Sequence, residues 1–161
     1  MKKVDIIEKI LEIGTFLAFT GLLIVVLLQV VTRFFMPALS FVWTEEASRF
    51  LFVYSVAFGA PLAMKRKEFV NVDILTSILP KGVRKFLEIL SYLITVILFT
   101  VVFLKGIDFA ELGVVQKSIT MRIPMSIAFS TISITSFFIL LYTVLHLFYY
   151  LRDIGKTGDN T

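Results

Sequence analysis

The chain contains no cysteine and a single histidine, His146, among its 161 residues. The absence of cysteine excludes disulfides, thiolate metal sites and cysteine nucleophiles. A lone histidine with scattered acids cannot assemble a metal site, and the sequence contains no nucleophile–base pair, glycine-rich phosphate loop or Walker signature. We therefore predict a protein that is not an enzyme, without catalytic residues, cofactor or metal. His146 is interpreted as a polar residue of an interfacial aromatic belt.

Charged residues are also scarce, at 17% of the chain, against 58% apolar residues and a mean hydropathy of +0.92. Soluble domains do not have this composition. The apolar residues form four blocks, each close to the roughly 20 residues that a membrane-spanning helix needs. Several stretches are apolar on every face, unlike the alternating strands of a membrane barrel. The sequence predicts an all-α integral membrane protein, a single domain over 1–161 with helices near 10–32, 41–64, 83–104 and 124–149.

The first block has only a superficial likeness to a signal peptide. Lys2 and Lys3 precede it, but Asp5, Glu8 and Glu12 interrupt the approach to it. The apolar run is also too long, and it lacks a small-residue cleavage site. We therefore expect a retained first helix.

Lysine and arginine are unevenly distributed between the two sides of the predicted membrane. Eleven lie in the amino-terminal arm, the connector between helices two and three, and the tail, whereas five lie on the other side, where acids dilute them. The positive-inside bias predicts a multi-pass membrane protein with both termini and the connector between helices two and three in the cytoplasm. Because the basic residues flank membrane segments and do not line one face, no nucleic acid partner is expected.

The connector after helix two interleaves apolar and polar residues over 65–75 and begins with three basic residues. This pattern predicts a short segment in the inner membrane interface, with anionic membrane lipids as partners. Asp73 is expected to cap a turn or to contribute to docking. In the next helix, Glu88 lies four residues after Arg84, so we predict an ion pair between them.

Charged residues also open the second helix. Its apolar run, 50–64, covers about 22 Å at 1.5 Å per residue, which is too short for a hydrocarbon core about 30 Å thick. The crossing helix must therefore begin near Phe41 and include Glu45, Glu46 and Arg49. Their i,i+4 and i,i+3 spacings place all three on one flank, where they can neutralise one another.

Two interpretations of this cluster remain open. In the structural one, Thr44 is the N-cap, the acids interact with the helix dipole, and Trp43 lies at the membrane interface. In the functional one, the cluster docks a helix or loop of a partner. A proton or ion relay is less well supported, because these charges lie near the outer headgroups and transport sites are usually found at mid-depth.

Small and hydroxyl residues recur on two helices. Ser55, Gly59 and Ala63 are spaced by four residues, which allows close approach of another helix, either within the bundle or from another subunit. On helix four, hydroxyl residues are expected to bond back to their own backbone; these are Ser126, Ser130, Thr131, Ser133 and Thr135.

Several of these features occur together in one known family. The most specific are the Trp-Thr-Glu-Glu-Ala-Ser-Arg segment at 43–49 and the Val-Asp pair at 72–73. They are accompanied by Arg33 at the end of helix one, Ala-Phe-Gly-Ala at 57–60, Leu-Pro at 79–80 and Ile-Pro at 123–124. The chain thus resembles the small membrane (Q, DctQ-like) subunit of tripartite ATP-independent periplasmic, or TRAP, transporters. It departs from the family at Phe69, where members often have histidine, and after Pro124, where a second proline is missing.

The resemblance implies a non-enzymatic partner of a much larger membrane subunit, which moves an organic acid with sodium and receives it from a periplasmic substrate-binding protein. The small subunit is then expected to be a scaffold that braces the large one. Our docking hypothesis comprises Trp43, Glu45, Glu46, Arg49, Ser55, Gly59, Ala63 and Asp73.

Two other classes of membrane protein remain as alternatives. A stand-alone small four-helix carrier should have a membrane-embedded acid in helix one, but residues 21–29 contain none. A small integral membrane enzyme of the glutathione-transferase type should have several buried arginines, whereas the arginines here cluster at helix ends.

Overall fold

The computed structural model describes residues 2–35, 41–66 and 80–158. Within these ranges the chain forms four helices, α1 (Lys2–Phe35), α2 (Trp43–Lys65), α3 (Lys81–Val115) and α4 (Ser126–Gly158). Each contains a stretch long and apolar enough to cross a membrane, which confirms the predicted fold class. The predicted interfacial segment, with Phe69 and Asp73, lies outside the described residues.

The helices differ from the predicted ones in their ends. α3 continues to Val115, well beyond the predicted end at 104, because its polar residues are accommodated within the helix: Lys105 Nζ pairs with Asp108 Oδ2 at 2.9 Å. At 1.5 Å per residue α3 is about 52 Å long, more than the thickness of the hydrocarbon core. It must therefore tilt or extend beyond the bilayer.

α2 and α4 are the central helices. They pack on each other, α1 packs on α2, and α3 packs on α4. In the membrane-spanning windows, 28% of the residues of α2 and of α4 are buried, compared with 6% in α1 and in α3. The two flanking helices therefore present most of their apolar surface to whatever surrounds the chain.

The buried apolar cluster lies towards the end of the bundle where the amino terminus of α1 meets the carboxyl end of α2. All four helices contribute to it: Leu11, Leu62, Met64, Tyr92, Ile139 and Tyr142. The predicted orientation would place this cluster in the cytoplasmic half of the membrane.

α3 lies close to α4 at two glycines that were not among the predicted packing residues, Gly106 and Gly113. A Cβ atom added to Gly106 would lie 2.7 Å from Ser133 Oγ, and one added to Gly113 would lie 2.5 Å from the backbone nitrogen of Ser126. Only glycine fits this spacing, so these residues set the distance between the two helices.

Candidate functional site

The amino-terminal end of α2 lacks the predicted cap. Val42 occupies the N-cap position without a side-chain hydrogen bond, and Thr44 lies inside the first turn. The Thr44 hydroxyl donates to the Phe41 carbonyl at 2.6 Å, and the residue is 1% exposed. The N-cap role for Thr44 was therefore wrong, because the N-cap position lies two residues earlier, at Val42, and the helix begins at Trp43. The placement of both acids in the first turn is confirmed.

Glu45 and Arg49 form the predicted i,i+4 pair. Arg49 Nη2 donates to Glu45 Oε1 at 2.6 Å, and the two side chains are 76% and 58% exposed for Arg49 and Glu45 respectively. Neither carboxylate nor guanidinium is sequestered by the chain. This part of the cluster is therefore accessible to lipid or to a partner.

Glu46 has a different role from the one its spacing suggested. One residue is a rotation of about 100° on a helix, and this turns Glu46 away from the ion pair and towards the loop between α3 and α4. Its Oε2 accepts backbone N–H groups of Thr120 at 3.2 Å and Met121 at 2.9 Å. The expectation that all three charges neutralise one another was therefore wrong for Glu46.

The loop that Glu46 holds is a tight hairpin. The Ser118 N–H donates to the Ile123 carbonyl and the Met125 N–H to the Gln116 carbonyl, both at 2.8 Å. Arg122 has a φ of 55°, a left-handed conformation that costs a non-glycine residue about 1–2 kcal/mol. Glu46 thus fixes the start of α2 to a strained connection 74 residues further along the chain.

The small residues of α2 are largely engaged within the chain. Ser55 is buried and its hydroxyl donates to the Phe52 carbonyl at 2.7 Å. Gly59 faces α1, where an added Cβ would lie 3.5 Å from Thr15 Cγ2, and Ala63 is partly buried.

The predicted back-bonding on α4 is seen for three of the five hydroxyl residues. The hydroxyls of Ser130, Thr131 and Thr135 donate to carbonyls of the preceding turn at 2.8, 2.5 and 2.6 Å. The Ser133 hydroxyl is buried and has no hydrogen-bond partner in the described structure. It faces Gly106 instead, at the close approach of α3.

The opposite end of α2 carries a second polar cluster that links three helices. Lys65 pairs with Glu8 of α1, and Arg66 Nη2 lies 3.3 Å from Glu12 Oε1. His146 of α4 donates from Nε2 to the Lys65 carbonyl at 3.1 Å, so it caps the carboxyl end of α2.

Sequence reasoning missed this cluster, although the i,i+4 spacing of Glu8 and Glu12 is a signal that could have found its α1 half. On α3, the predicted pair of Arg84 and Glu88 is confirmed, with Nε and Oε1 3.0 Å apart.

Residues 22–153 match the family described as tripartite ATP-independent periplasmic transporters, DctQ component. The chain belongs to this family. The match includes all of α2 with its Glu45–Arg49 pair, the loop that Glu46 holds, and His146. The family is a transporter component, and together with the four spanning helices it shows a multi-pass bacterial membrane protein.

Three relatives agree with this assignment. A putative TRAP transporter small permease protein of Haemophilus influenzae is 27% identical over 161 residues, covering 99% of this chain and 94% of that protein. The sialic acid TRAP transporter small permease protein SiaQ of Vibrio cholerae is 30% identical over 75% of this chain and 69% of its own. The sialic acid TRAP transporter permease protein SiaT of Haemophilus influenzae is 35% identical over 53% of this chain, which spans only 13% of that longer protein.

Proposed function

We propose that this chain is the scaffold subunit of a TRAP transporter in the bacterial inner membrane, with both termini in the cytoplasm. It braces a large membrane subunit for sodium-coupled uptake of an organic acid, which a periplasmic binding protein delivers. Membership of the DctQ family supports the assignment to this transporter class. The names of two relatives mention sialic acid, a carboxylate, and this supports an organic acid as the substrate class.

The observation that carries the scaffold role is the placement of charge. No charged residue occurs in the middle portions 21–28, 54–59, 93–101 and 132–140. Coupled transport requires ionisable or backbone ligands at mid-depth, usually on interrupted helices. The four helices described here run without a break through these portions, so the ion and solute sites are expected in another subunit.

The contacts at the two ends of α2 support a bracing role. Glu46 ties its outer end to the α3–α4 hairpin, and Lys65 and Arg66 tie its inner end to α1. The Tyr54 hydroxyl adds a hydrogen bond to the Ile127 carbonyl of α4 at 2.9 Å. A helix held in this way resists displacement when a neighbouring subunit moves.

Contacts within the chain favour a narrower docking surface than the one predicted from the sequence. Glu46, Ser55 and Gly59 make contacts within the chain, so we assign the contact with the large subunit to the exposed flank of α1 and to Trp43 at the start of α2. This flank exposes Phe16 and Phe19, and the nearby ends of α1 and α2 expose further aromatic residues: Phe34, Phe35, Phe41 and Trp43. Aromatic residues are enriched at protein interfaces. The outer face of α3 is mainly aliphatic along the same depth: Leu93, Ile94, Ile97, Leu98, Val101 and Leu104.

Co-purification tests the docking surface. We expect the double variant Phe16→Ala/Phe19→Ala to insert normally but to recover much less large subunit when the tagged chain is purified in mild detergent. The matched double variant Leu98→Ala/Val101→Ala on α3 should recover it as the unmodified chain does. Equal recovery by the two variants would remove α1 as the docking flank.

Reconstitution tests the function itself. Sodium-driven uptake in proteoliposomes should require this chain, the large subunit and the binding protein together. Uptake of a solute by the purified chain alone would refute the scaffold role and support a stand-alone carrier.

A further inference from the structure

One face of α2 stays exposed from its outer end to the middle of the helix. Five residues of this face are exposed: Glu45, Arg49, Phe52, Val53 and Val56. Their spacing in the sequence places all five within about 100° of one another around the helix axis. No residue between 57 and 65 is exposed. The stripe therefore begins with an ion pair and continues into an apolar surface that ends near mid-depth.

The apolar part of this stripe is one wall of a groove of about 310 Å³. Phe52, Val53 and Val56 form that wall, Phe99 and Val102 of α3 form the opposite one, and α4 forms the floor. A water-sized group occupies roughly 30 Å³, and a methylene group is of similar size. The groove therefore accommodates a single hydrocarbon chain segment of about ten such groups.

The floor of the groove offers no free hydroxyl. Thr131, Thr135 and Ser136 line it, but their hydroxyls donate to the carbonyls of Ala128, Thr131 and Ile132 at 2.5, 2.6 and 2.7 Å. These bonds point the polar atoms towards the α4 backbone, so the surface presented to the groove is hydrocarbon. The groove is therefore better suited to an acyl chain than to a polar ligand that needs hydrogen-bond donors.

We propose that Glu45, Arg49 and this groove form a binding site for one zwitterionic phospholipid of the outer leaflet. The phosphate accepts hydrogen bonds from Arg49, the headgroup ammonium donates to Glu45, and one acyl chain lies in the groove. The proposal rests on the proposed orientation of the chain in the membrane, which places the start of α2 in the outer leaflet, but it does not depend on the scaffold role.

Depth and charge favour this occupant over a helix of another protein. Arg49 lies six residues after Trp43, about 9 Å further along the helix axis, and Val56 lies about 10 Å beyond Arg49. The Arg49 guanidinium reaches back towards the start of the helix to meet Glu45, which lies only about 3 Å beyond Trp43 along the axis. An interfacial Trp43 therefore places the charged atoms of the pair at headgroup depth and the groove at acyl-chain depth. The pair offers one charge of each sign, both largely exposed, which complements a headgroup carrying both signs.

The headgroup determines the selectivity of the site. Moving an acyl chain from the bilayer into the groove brings no hydrophobic gain, because lipid tails are already in an apolar medium. An exposed ionic contact changes the binding affinity by about two- to fivefold. We therefore expect phosphatidylethanolamine to be enriched by that factor over phosphatidylglycerol, which lacks the ammonium group.

Photo-crosslinking in membranes containing the full chain tests the site. A phosphatidylethanolamine with a photoreactive group at mid-chain should label peptides that contain Phe52, Val56 or Thr135. Val56→Trp, which fills the groove, should strongly reduce this labelling, whereas Val101→Trp, the same change on the outward face of α3, should not. Arg49→Gln and Glu45→Gln should abolish the preference over a photoreactive phosphatidylglycerol without preventing membrane insertion.

Three outcomes would overturn the proposal. The first is labelling spread evenly along α1 and α3. The second is labelling that Val56→Trp leaves unchanged, in a protein that elutes normally on size-exclusion chromatography. The third is equal labelling by phosphatidylethanolamine and phosphatidylglycerol. Loss of the large subunit from Val56→Trp with unchanged lipid labelling would assign the groove to a helix of that subunit instead. Because the positions of the labelled peptides are determined in the unmodified chain, they test the proposed site even where a variant fails to fold.

Discussion

Replacing Gly113 by alanine tests how α3 is held against α4. The added methyl carbon would lie 2.5 Å from the Ser126 backbone nitrogen and 2.7 Å from Phe129 Cδ2. The aromatic ring could rotate, but the backbone of α4 cannot move away without shifting the α3–α4 hairpin that follows Gly113. The substitution should therefore separate the two helices.

The magnitude follows from two opposing effects. Overpacking in a well-packed site typically costs about 1–3 kcal/mol, and the close backbone contact places the cost of Gly113→Ala in the upper part of this range. Alanine favours the helix over glycine by about 1 kcal/mol, which offsets part of the cost. We expect a net loss of about 1–2 kcal/mol in the free energy of unfolding.

Gly59→Ala is the matched control. Its added carbon would lie 3.5 Å from Thr15 Cγ2, an ordinary van der Waals distance, so the same substitution should be neutral or stabilise the protein by up to about 1 kcal/mol. Unfolding of the purified chain in mixed micelles by SDS, followed by circular dichroism, would measure both. Equal stability of the two variants would refute the close approach of α3 to α4 as described.

Two further predictions concern the ends of the helices. Glu46→Ala should accelerate hydrogen exchange at the amides of Thr120 and Met121, which donate to its carboxylate, whereas Glu45→Ala should leave exchange there unchanged; similar exchange in both variants would remove Glu46 as the anchor of the hairpin. Because the chain has no cysteine, single cysteines introduced at Lys9 and Lys117 can report its topology. An impermeant thiol reagent added to spheroplasts, which are cells without their outer membrane, should label the cysteine at position 117 and not the one at position 9. Labelling at position 9 would contradict the proposed orientation.

The number and type of the helices could be predicted from the sequence because a bilayer requires long apolar runs with internally bonded backbones. Their ends could not. Lys105 and Asp108 have the composition of a loop, yet they pair across one turn and the helix continues. Charged residues in a sequence indicate which part of a helix is exposed to water, but the end of the helix is where its backbone hydrogen bonding stops.

The candidate site was predictable only where its contacts are local. The Glu45–Arg49 pair follows from i,i+4 spacing within one helix. The partner of Glu46 could not be found in this way, because the amides it binds lie in a hairpin far along the chain. The close contact of α3 and α4 at the glycines was partly predictable. Gly106 and Gly113 are seven residues apart, as are their neighbours Ser126 and Ser133, so a search for small residues with matching spacing would have found this contact.

The distribution of polar contacts follows from the cost of charge in hydrocarbon. An ion pair at mid-depth would need compensation for lost hydration, whereas pairs near the two interfaces retain access to water. The chain accordingly holds α2 by polar contacts at its two ends, with Glu46 at one and Lys65 at the other, and uses close glycine packing between α3 and α4. A helix fixed at both ends can transmit force without a charged group in the membrane interior. If the chain has the scaffold role proposed above, the charges of sodium and of a carboxylate solute must be compensated by residues of the large subunit.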